Sequence, residues 1–289
     1  MSDGFYRTFE ERYYAPRDVI TALRKQYLPF VAPLSGLYPG AKTFDIGCGR
    51  GEWLELMNGM GFDAYGVDLD DGMLRDCHVR GLQVEKGDAV AYLREMESES
   101  HAVVSAFHVV EHISFEDLVV AVQETLRILK PGGLLIMETP NPENFIVATR
   151  NFYLDPTHRR PIPSQLLSFL VEYYGFSRIK TIRLQEHIEL HKQQKPSLLD
   201  VLGGVSPDYA VVAQKSASSD TFCLFDQAFM KDYGLTLDEL AVRYDQRVAQ
   251  GERAEETVER IRNTRTWRMF RLLISNIREL KKRLKLWQS

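Results

Sequence analysis

Cysteine is scarce in this chain: three residues, Cys48, Cys77 and Cys223, among 289. They are odd in number and widely spaced, which excludes a disulfide framework or a cysteine zinc site and points to a reducing cytosol. No run approaches the roughly 20 apolar residues that span a bilayer. The opening MSDGFYRTFEERYY has charges and aromatics but no apolar stretch of signal-peptide length. Positive charge is not in excess, and a net charge of −4 argues against nucleic acid as a partner. There is no internal repeat. The expectation is a cytoplasmic protein. With 44% hydrophobic and 26% charged residues its composition is that of a soluble globular chain. Its length leaves room for one domain of about 200 residues and an appendage.

What is present is uneven. Between Thr264 and Ser289 there are eight Lys/Arg and one acid, so this tail carries +7 and the remainder −11. The chain is organised around Thr43 to Trp53, TFDIGCGRGEW. A buried strand there turns through Gly47, Gly49 and Gly51 and leaves into an apolar-periodic helix, which brings bare backbone N–H groups against a ligand. The spacing is GxGxG, whereas the dinucleotide fingerprint is GxGxxG. Asp45, an acid ahead of the first glycine, disfavours a pyrophosphate and suits an ammonium or a sulfonium. S-adenosylmethionine carries both. Asp68, about 20 residues on, is placed for ribose hydroxyls.

Strand and helix patterns then alternate. Strands are expected at Lys42–Ile46, Ala64–Asp68, Leu82–Lys86, Val103–Phe107, Leu134–Glu138, Ser177–Leu184 and Tyr209–Ala213, with the clearest helix at Phe115–Leu129, ended by KPGG. Such alternation predicts an α/β fold, a parallel sheet with helices on both faces. Residues 1–40 read as a helical cap with aromatic anchors Phe5, Tyr6, Phe9, Tyr13 and Tyr14, and a second helix after Pro16. Residues 41–214 form the main domain and 215–220 a small polar linker. Residues 221–263 are helical, with Leu237, Tyr244, Gly251 and Val258 in one heptad position and Leu240, Arg247, Ala254 and Ile261 in the next. Half of these suit a seam, so a coiled coil for self-association is one reading.

The segments TFDIGCGRGEW, AYGVDL, EKGDAV and AFHVVEH, followed by LRILKPGGLLIMETPNPEN, resemble in this order the class I S-adenosylmethionine-dependent methyltransferases over roughly residues 40–213. The resemblance implies a Rossmann-like, seven-stranded, mostly parallel sheet. It implies that Asp45, Gly47, Gly49 and Gly51 cradle the methionine end of the cofactor, Asp68 the ribose and Asp88 the adenine. Leu69 and Ala89 would flank the adenine, and Phe107 would line the methionine side. A narrower resemblance, carried by FYRTFEERYYAPRDVI, FHVVEHISFEDL and NFYLDPTHRRPIPSQLL, is to bacterial surface-polysaccharide (O-antigen) methyltransferases. That implies a sugar hydroxyl on a lipid-linked glycan as acceptor, with a glycosyltransferase as a further partner through 221–263.

A hydroxyl acceptor needs its proton removed, by a base or through a metal. His108-x-x-Glu111-His112 offers both. Its spacing resembles the metal-binding ExxEH of ubiquinone-type O-methyltransferases with His in place of the first Glu, which suits a hard divalent cation less well. The alternative is His112 or His108 as base with Glu111 orienting it. In the loop Asp155-Pro-Thr-His158-Arg159-Arg160, Asp155 and His158 can bind sugar hydroxyls and Tyr153 can stack on a ring. Arg17 either pairs with the cofactor carboxylate or makes a surface salt bridge.

On a helical wheel Trp267, Phe270, Leu273, Ile274, Ile277, Leu280, Leu284 and Trp287 share one face, and Arg268, Arg271, Arg278, Lys282, Arg283 and Lys285 the other. A basic amphipathic helix of this kind fits an anionic membrane surface, or else a docking site on a partner. The expectation is an O-methyltransferase held at the inner face of the membrane. Its rivals are a small-molecule, ubiquinone-type enzyme and a non-catalytic scaffold for a glycosyltransferase.

Overall fold

A computed structural model describes residues 15–286, with side chains described to residue 281. The expected aromatic anchors Phe5 to Tyr14 and the tail side chains from Lys282 to Trp287 lie outside the described residues. After Pro16 come α1 (Arg17–Arg24), a 3-10 turn (Lys25–Tyr27) and α2 (Leu28–Leu37). Then follow β1 (Lys42–Ile46), α3 (Glu52–Gly59), β2 (Asp63–Asp68), α4 (Asp71–Val79), β3 (Gln83–Lys86) and α5 (Ala89–Glu95). Next are β4 (His101–Phe107), α6 (Phe115–Ile128), β5 (Leu129–Pro140), α7 (Phe145–Thr149), α8 (Ser164–Tyr173) and β6 (Arg178–Leu184). The chain continues through α9 (Glu189–Lys192), α10 (Leu198–Gly203), β7 (Asp208–Gln214), α11 (Ser219–Cys223), α12 (Asp226–Met230), α13 (Leu237–Arg262) and α14 (Arg265–Leu286).

The seven strands form one sheet in the order β3-β2-β1-β4-β5-β7-β6. Only β7 runs against its neighbours, pairing antiparallel with both β5 and β6. The order reverses beside β1, so the carboxyl ends of β1 and β4 open a crevice, the place where such sheets bind ligands. Every residue of β4 is buried. A strand covered by helices on both faces has no polar side to show, which is why HAVVSAF reads as an apolar run. One face of the sheet packs on Tyr27, Phe30, Leu54 and Met57, and the other on Leu118, Val122, Leu167 and Val171. Helix α6 follows its sequence closely. The Ser114 hydroxyl caps the Asp117 N–H at 3.0 Å, and Leu118, Ala121, Val122, Thr125 and Ile128 give the buried stripe.

The structure departs from expectation in three places. KPGG ends α6 but lies inside β5, where a Cβ on Gly133 would come within 2.9 Å of the Ala102 carbonyl oxygen. The pair of glycines therefore lets β5 run close against β4 through an irregular register. Residues 215–220 are no free linker: the Lys215 N–H donates to the Gly133 carbonyl at 2.9 Å and its Nζ to the Leu129 carbonyl at 2.6 Å. Beyond them Phe225, Ala228 and Phe229 join the main core, with Phe229 edge-on to Phe30 at 5.3 Å. The apolar i, i+3, i+4 spacing of that trio outweighs the polar run before it. The heptad reading of α13 also changes. Leu240 is buried among Leu190, Val201 and Val205, Tyr244 packs beside them, and Arg247 donates to the Pro196 carbonyl at 2.8 Å. The first half of α13 is thus committed to its own domain, and its remaining turns and α14 as far as Lys281 are exposed, apart from the half-buried Ile274. No helix among the described residues is long and apolar enough to cross a membrane.

Candidate active site

The glycine turn at the end of β1 is built by backbone that only glycine adopts easily. Gly47, Gly49 and Gly51 have φ of 64°, 53° and 76°. A Cβ on Gly47 would meet Val109 Cγ2 at 2.5 Å, whereas the space beside Gly49 is open. The Gly49 N–H donates to Asp68 Oδ2 at 2.9 Å, and the Asp70 N–H donates to Asp68 Oδ1 at 2.9 Å. These two bonds fix the Asp68 carboxylate at the end of β2 with lone pairs to spare.

Asp45 is buried and accepts from the Ser105 hydroxyl at 2.6 Å. Burial pushes its carboxyl up to about 8; the Ser105 bond and Arg24 oppose that rise, while Asp68 and Glu52 add to it. Among the described residues no cation forms an ion pair with it, so its position suits a cationic group of a ligand. Asp88 caps α5 through the Val90 N–H at 2.8 Å. With Leu69, which is 72% exposed, and Ala89 it borders a cavity of about 540 Å³ along the ends of β1 to β4. A second cavity of about 460 Å³ continues from it past Asp45, Arg24, Glu138 and Asp208. Gly47, Gly49, Met73, Phe107, His108 and His112 form the wall common to both. The residues expected to hold adenosine thus border the first cavity and Asp45 the second. The open cradle at Gly49 and the uncompensated Asp45 fit S-adenosylmethionine.

Arg17 is elsewhere. It pairs with Glu55 at 2.9 Å and Glu52 at 3.4 Å and donates to the Arg50 carbonyl, lining neither cavity. The salt-bridge alternative describes it, because the N-terminal turn of α3 carries two acids within its reach. Arg24, two turns further along α1, takes the cavity position. It meets Glu138 Oε1 at 2.6 Å, and its guanidinium lies 4.0 Å from the Phe107 ring centre.

His108 sits at φ 56°, a left-handed conformation in a non-glycine residue at the end of β4. Its Nε2 is 3.0 Å from Glu138 Oε1 and 4.0 Å from Asp208 Oδ1, and its Nδ1 is 3.4 Å from Glu111 Oε1. It keeps 30% of its side-chain surface open to the cavity floor. Burial favours the neutral ring, but Asp208, Glu111 and Glu138 together outweigh it and hold His108 well above its ordinary range. Tyr27 donates its hydroxyl to the other Glu138 oxygen. His108 is therefore a ring closed in by three acids at the end of β4.

Glu111 is fully buried, accepts from the Thr139 hydroxyl at 2.9 Å and faces His108. It does not orient His112, with which it makes no ion pair among the described residues. Thr157 does: its Oγ1 is 2.9 Å from His112 Nδ1. The His112 ring lies edge-on to His158, centroids 4.6 Å apart. Burial keeps His112 below the usual histidine range, against the pull of Glu111 and Asp155. Of the three expected acceptor-binding residues, Asp155 and His158 line the second cavity. Tyr153 is 66% exposed and packs edge-on to Phe152, outside both cavities.

The expected metal set His108, Glu111, His112 does not bring one donor atom from each residue within 4.8 Å of the others among the described residues. Two other groups bring donor atoms within 4.8 Å, namely Glu111, His112, His158 and His108, Glu138, Asp208. The first offers one carboxylate oxygen and two imidazole nitrogens, the second two carboxylate oxygens and one imidazole nitrogen, whereas a hard cation takes six to eight oxygens.

Arg24, Tyr27, Glu138, Asp208 and Thr157 escaped the sequence reading. A signal existed for Glu138, an acid ending the apolar run LLIM. Arg24 and Tyr27 carry none, since their partner is more than 110 residues away.

The family described as a methyltransferase domain matches residues 17–181. A ubiquinone biosynthesis O-methyltransferase from Hahella chejuensis is 32% identical over 147 residues, 48% of this chain and 58% of that protein. A probable S-adenosylmethionine-dependent methyltransferase from Mycolicibacterium smegmatis is 29% identical over 47% of this chain and 52% of its own length. The chain thus spans little more than half of these relatives. The crystal structure of an S-adenosylmethionine-dependent methyltransferase from Archaeoglobus fulgidus superposes with a TM-score of 0.65 at 30% identity, covering 73% of this chain and all of that one. Sheet order, glycine turn, strand-end acids and these likenesses agree: the chain belongs to the methyltransferase-domain family.

Proposed function

We propose that this methyltransferase acts on a hydroxyl, and that the hydroxyl belongs to a sugar of a lipid-linked surface polysaccharide presented at the inner face of the membrane. The observation that carries the reading is His112, a ring kept neutral on the wall shared by the cofactor cavity and its neighbour. Bound S-adenosylmethionine supplies an activated methyl carbon. The chain's part is to place the acceptor oxygen in line with that carbon and to remove its proton. His112 takes the proton, and the Arg24–Glu138–His108 cluster holds the floor of the site rigid. Asn151, Asp155, His158, Gln185 and Asp208 line the second cavity, a polar surface that suits a polyhydroxyl acceptor.

Helix α14 supports the membrane side of the reading. Met269, Phe270, Leu273, Ile277 and Leu280 are exposed on it beside Arg268, Arg271 and Arg278. The exposed second half of α13 leaves a surface for a glycosyltransferase or for self-association. A second reading, a phenolic acceptor of the ubiquinone type, is favoured by the name of the Hahella chejuensis relative.

Label transfer from methyl-radiolabelled S-adenosylmethionine into membranes separates these readings. The proposal expects label in the lipid-linked glycan, stable to mild alkali as an ether is. Label in a quinone or phenol fraction would favour the second reading. Alkali-labile label would contradict methylation of a hydroxyl.

A further inference from the structure

The loop between α7 and α8 does more than border the acceptor cavity. Asp155 Oδ1 accepts two bonds from Thr157, from the backbone N–H at 2.8 Å and from the hydroxyl at 2.7 Å. The same hydroxyl oxygen lies 2.9 Å from His112 Nδ1. A threonine hydroxyl has one proton and two lone pairs. Were that proton given to His112, Oγ1 and the carboxylate oxygen would face each other at 2.7 Å with nothing between them. A carboxylate is also the stronger acceptor, since a charge-assisted bond is roughly twice as strong as a neutral one. The Thr157 proton therefore goes to Asp155, and Oγ1 is left as an acceptor.

We infer that Thr157 is a positioning residue: by giving its proton to Asp155 it accepts the Nδ1–H of His112 and so fixes Nε2 as the basic atom of that ring. Nε2 has no protein hydrogen-bond partner among the described residues. Neighbouring contacts hold the arrangement. The rings of His112 and His158 meet edge-on, and His158 Nδ1 lies 2.6 Å from the Phe152 carbonyl oxygen, which can only accept. His158 thus spends its Nδ1–H within the loop and leaves the Thr157 oxygen to His112. Asp155 is held below the usual carboxylate range: burial would raise it, but the two Thr157 bonds and the nearby rings of His158 and His112 outweigh that. In the transfer, the acceptor's proton passes to Nε2 while Nδ1–H stays on Thr157, and the doubly protonated ring then returns one proton to solvent.

The catalytic consequence rests on the hydroxyl-methylation reading, but the tautomer does not, and it can be measured without an acceptor. The full chain labelled with ¹⁵N-histidine has seven histidines, and His112 is assigned by comparison with His112→Gln. Its imidazole nitrogens at neutral pH are expected to show the Nδ1–H form. Thr157→Val should move the ring to a mixture or to the Nε2–H form, and Thr157→Ser should restore the wild-type pattern. Asp155→Ala, which frees the hydroxyl to donate, should shift it as Thr157→Val does. An Nε2–H ring in the wild type would overturn the inference. So would a folded Thr157→Val protein with an unchanged pattern. If the tautomer pattern holds and no hydroxyl is ever methylated, the proposed function fails and this assignment stands.

Discussion

The Arg24 guanidinium and the Glu138 carboxylate, 114 residues apart, meet at 2.6 Å beneath the transfer site. Both are buried, and they tie α1 to the end of β5. Removing one partner of such a pair strands a buried charge, which costs about 3–5 kcal/mol. Glu138→Gln and Arg24→Met should each lower unfolding stability by that order, and the double variant by much less than the sum. Chemical denaturation of the three proteins checks this, and additive losses would contradict it. Burial alone would raise Glu138, yet Arg24 and His108 hold it below its ordinary value of 4.5. Its folded pKa is depressed, so its stabilisation is complete above about pH 4.5 and is lost as the pH falls toward the folded value.

Asp45 titrates the other way. Burial raises it to about 8 from 3.8, so in the cofactor-free protein its stabilising contribution is full below pH 3.8 and lost as the pH rises through 8. A cationic cofactor favours the ionised form and displaces the proton. At pH 6.5, S-adenosylmethionine binding should release close to one proton. Calorimetry in two buffers of different ionisation enthalpy reads this directly. Asp45→Asn should abolish the buffer dependence, and a wild type without it would refute the assignment.

Gly66 lets β2 lie against the glycine turn. A Cβ there would come within 2.5 Å of Cys48 Cβ and 3.0 Å of Leu54 Cδ1. Gly66→Ala should destabilise by about 1–3 kcal/mol, as overpacking does, and weaken cofactor binding by shifting Cys48. Gly59→Ala is the control. Nothing lies within 4 Å of its Cβ position in α3, so it should be neutral or stabilising by up to about 1 kcal/mol. Thermal unfolding of the pair tests the contrast, which equal effects would remove.

The tail should bind anionic surfaces. Each basic residue near an anionic leaflet contributes about 1 kcal/mol, an attraction that salt screens. In flotation the full chain should rise with phosphatidylserine liposomes and less so at high salt. Residues 1–263 should stay in the dense fraction; equal flotation of both would reject a role for α14.

Much of this was legible before the structure, for physical reasons that differ by residue. A strand covered on both faces is an apolar run, so β4 and the LLIM stretch of β5 stand out, while the edge strands β3 and β6 show through the alternation of strand and helix patterns. Asp45, Asp68 and Asp88 mark strand ends, where backbone gives way to ligand. The setting of His108 was not legible because Glu138 and Asp208, which face it, come from β5 and β7 and have no sequence relation to it. Thr157 was overlooked because a hydroxyl between two charged or aromatic neighbours has no pattern of its own. The Phe225–Phe229 turn was hidden by the polar stretch that precedes it.

The central claim is that His112 removes the acceptor's proton while taking no part in holding the cofactor. Methyl transfer from labelled S-adenosylmethionine to lipid-linked glycan should be measured for full-length wild type and His112→Ala, with calorimetric cofactor affinity alongside. The account predicts transfer slower by at least roughly 100-fold, with affinity unchanged within about twofold. Undiminished transfer, or a loss of affinity as large as the loss of rate, would contradict it.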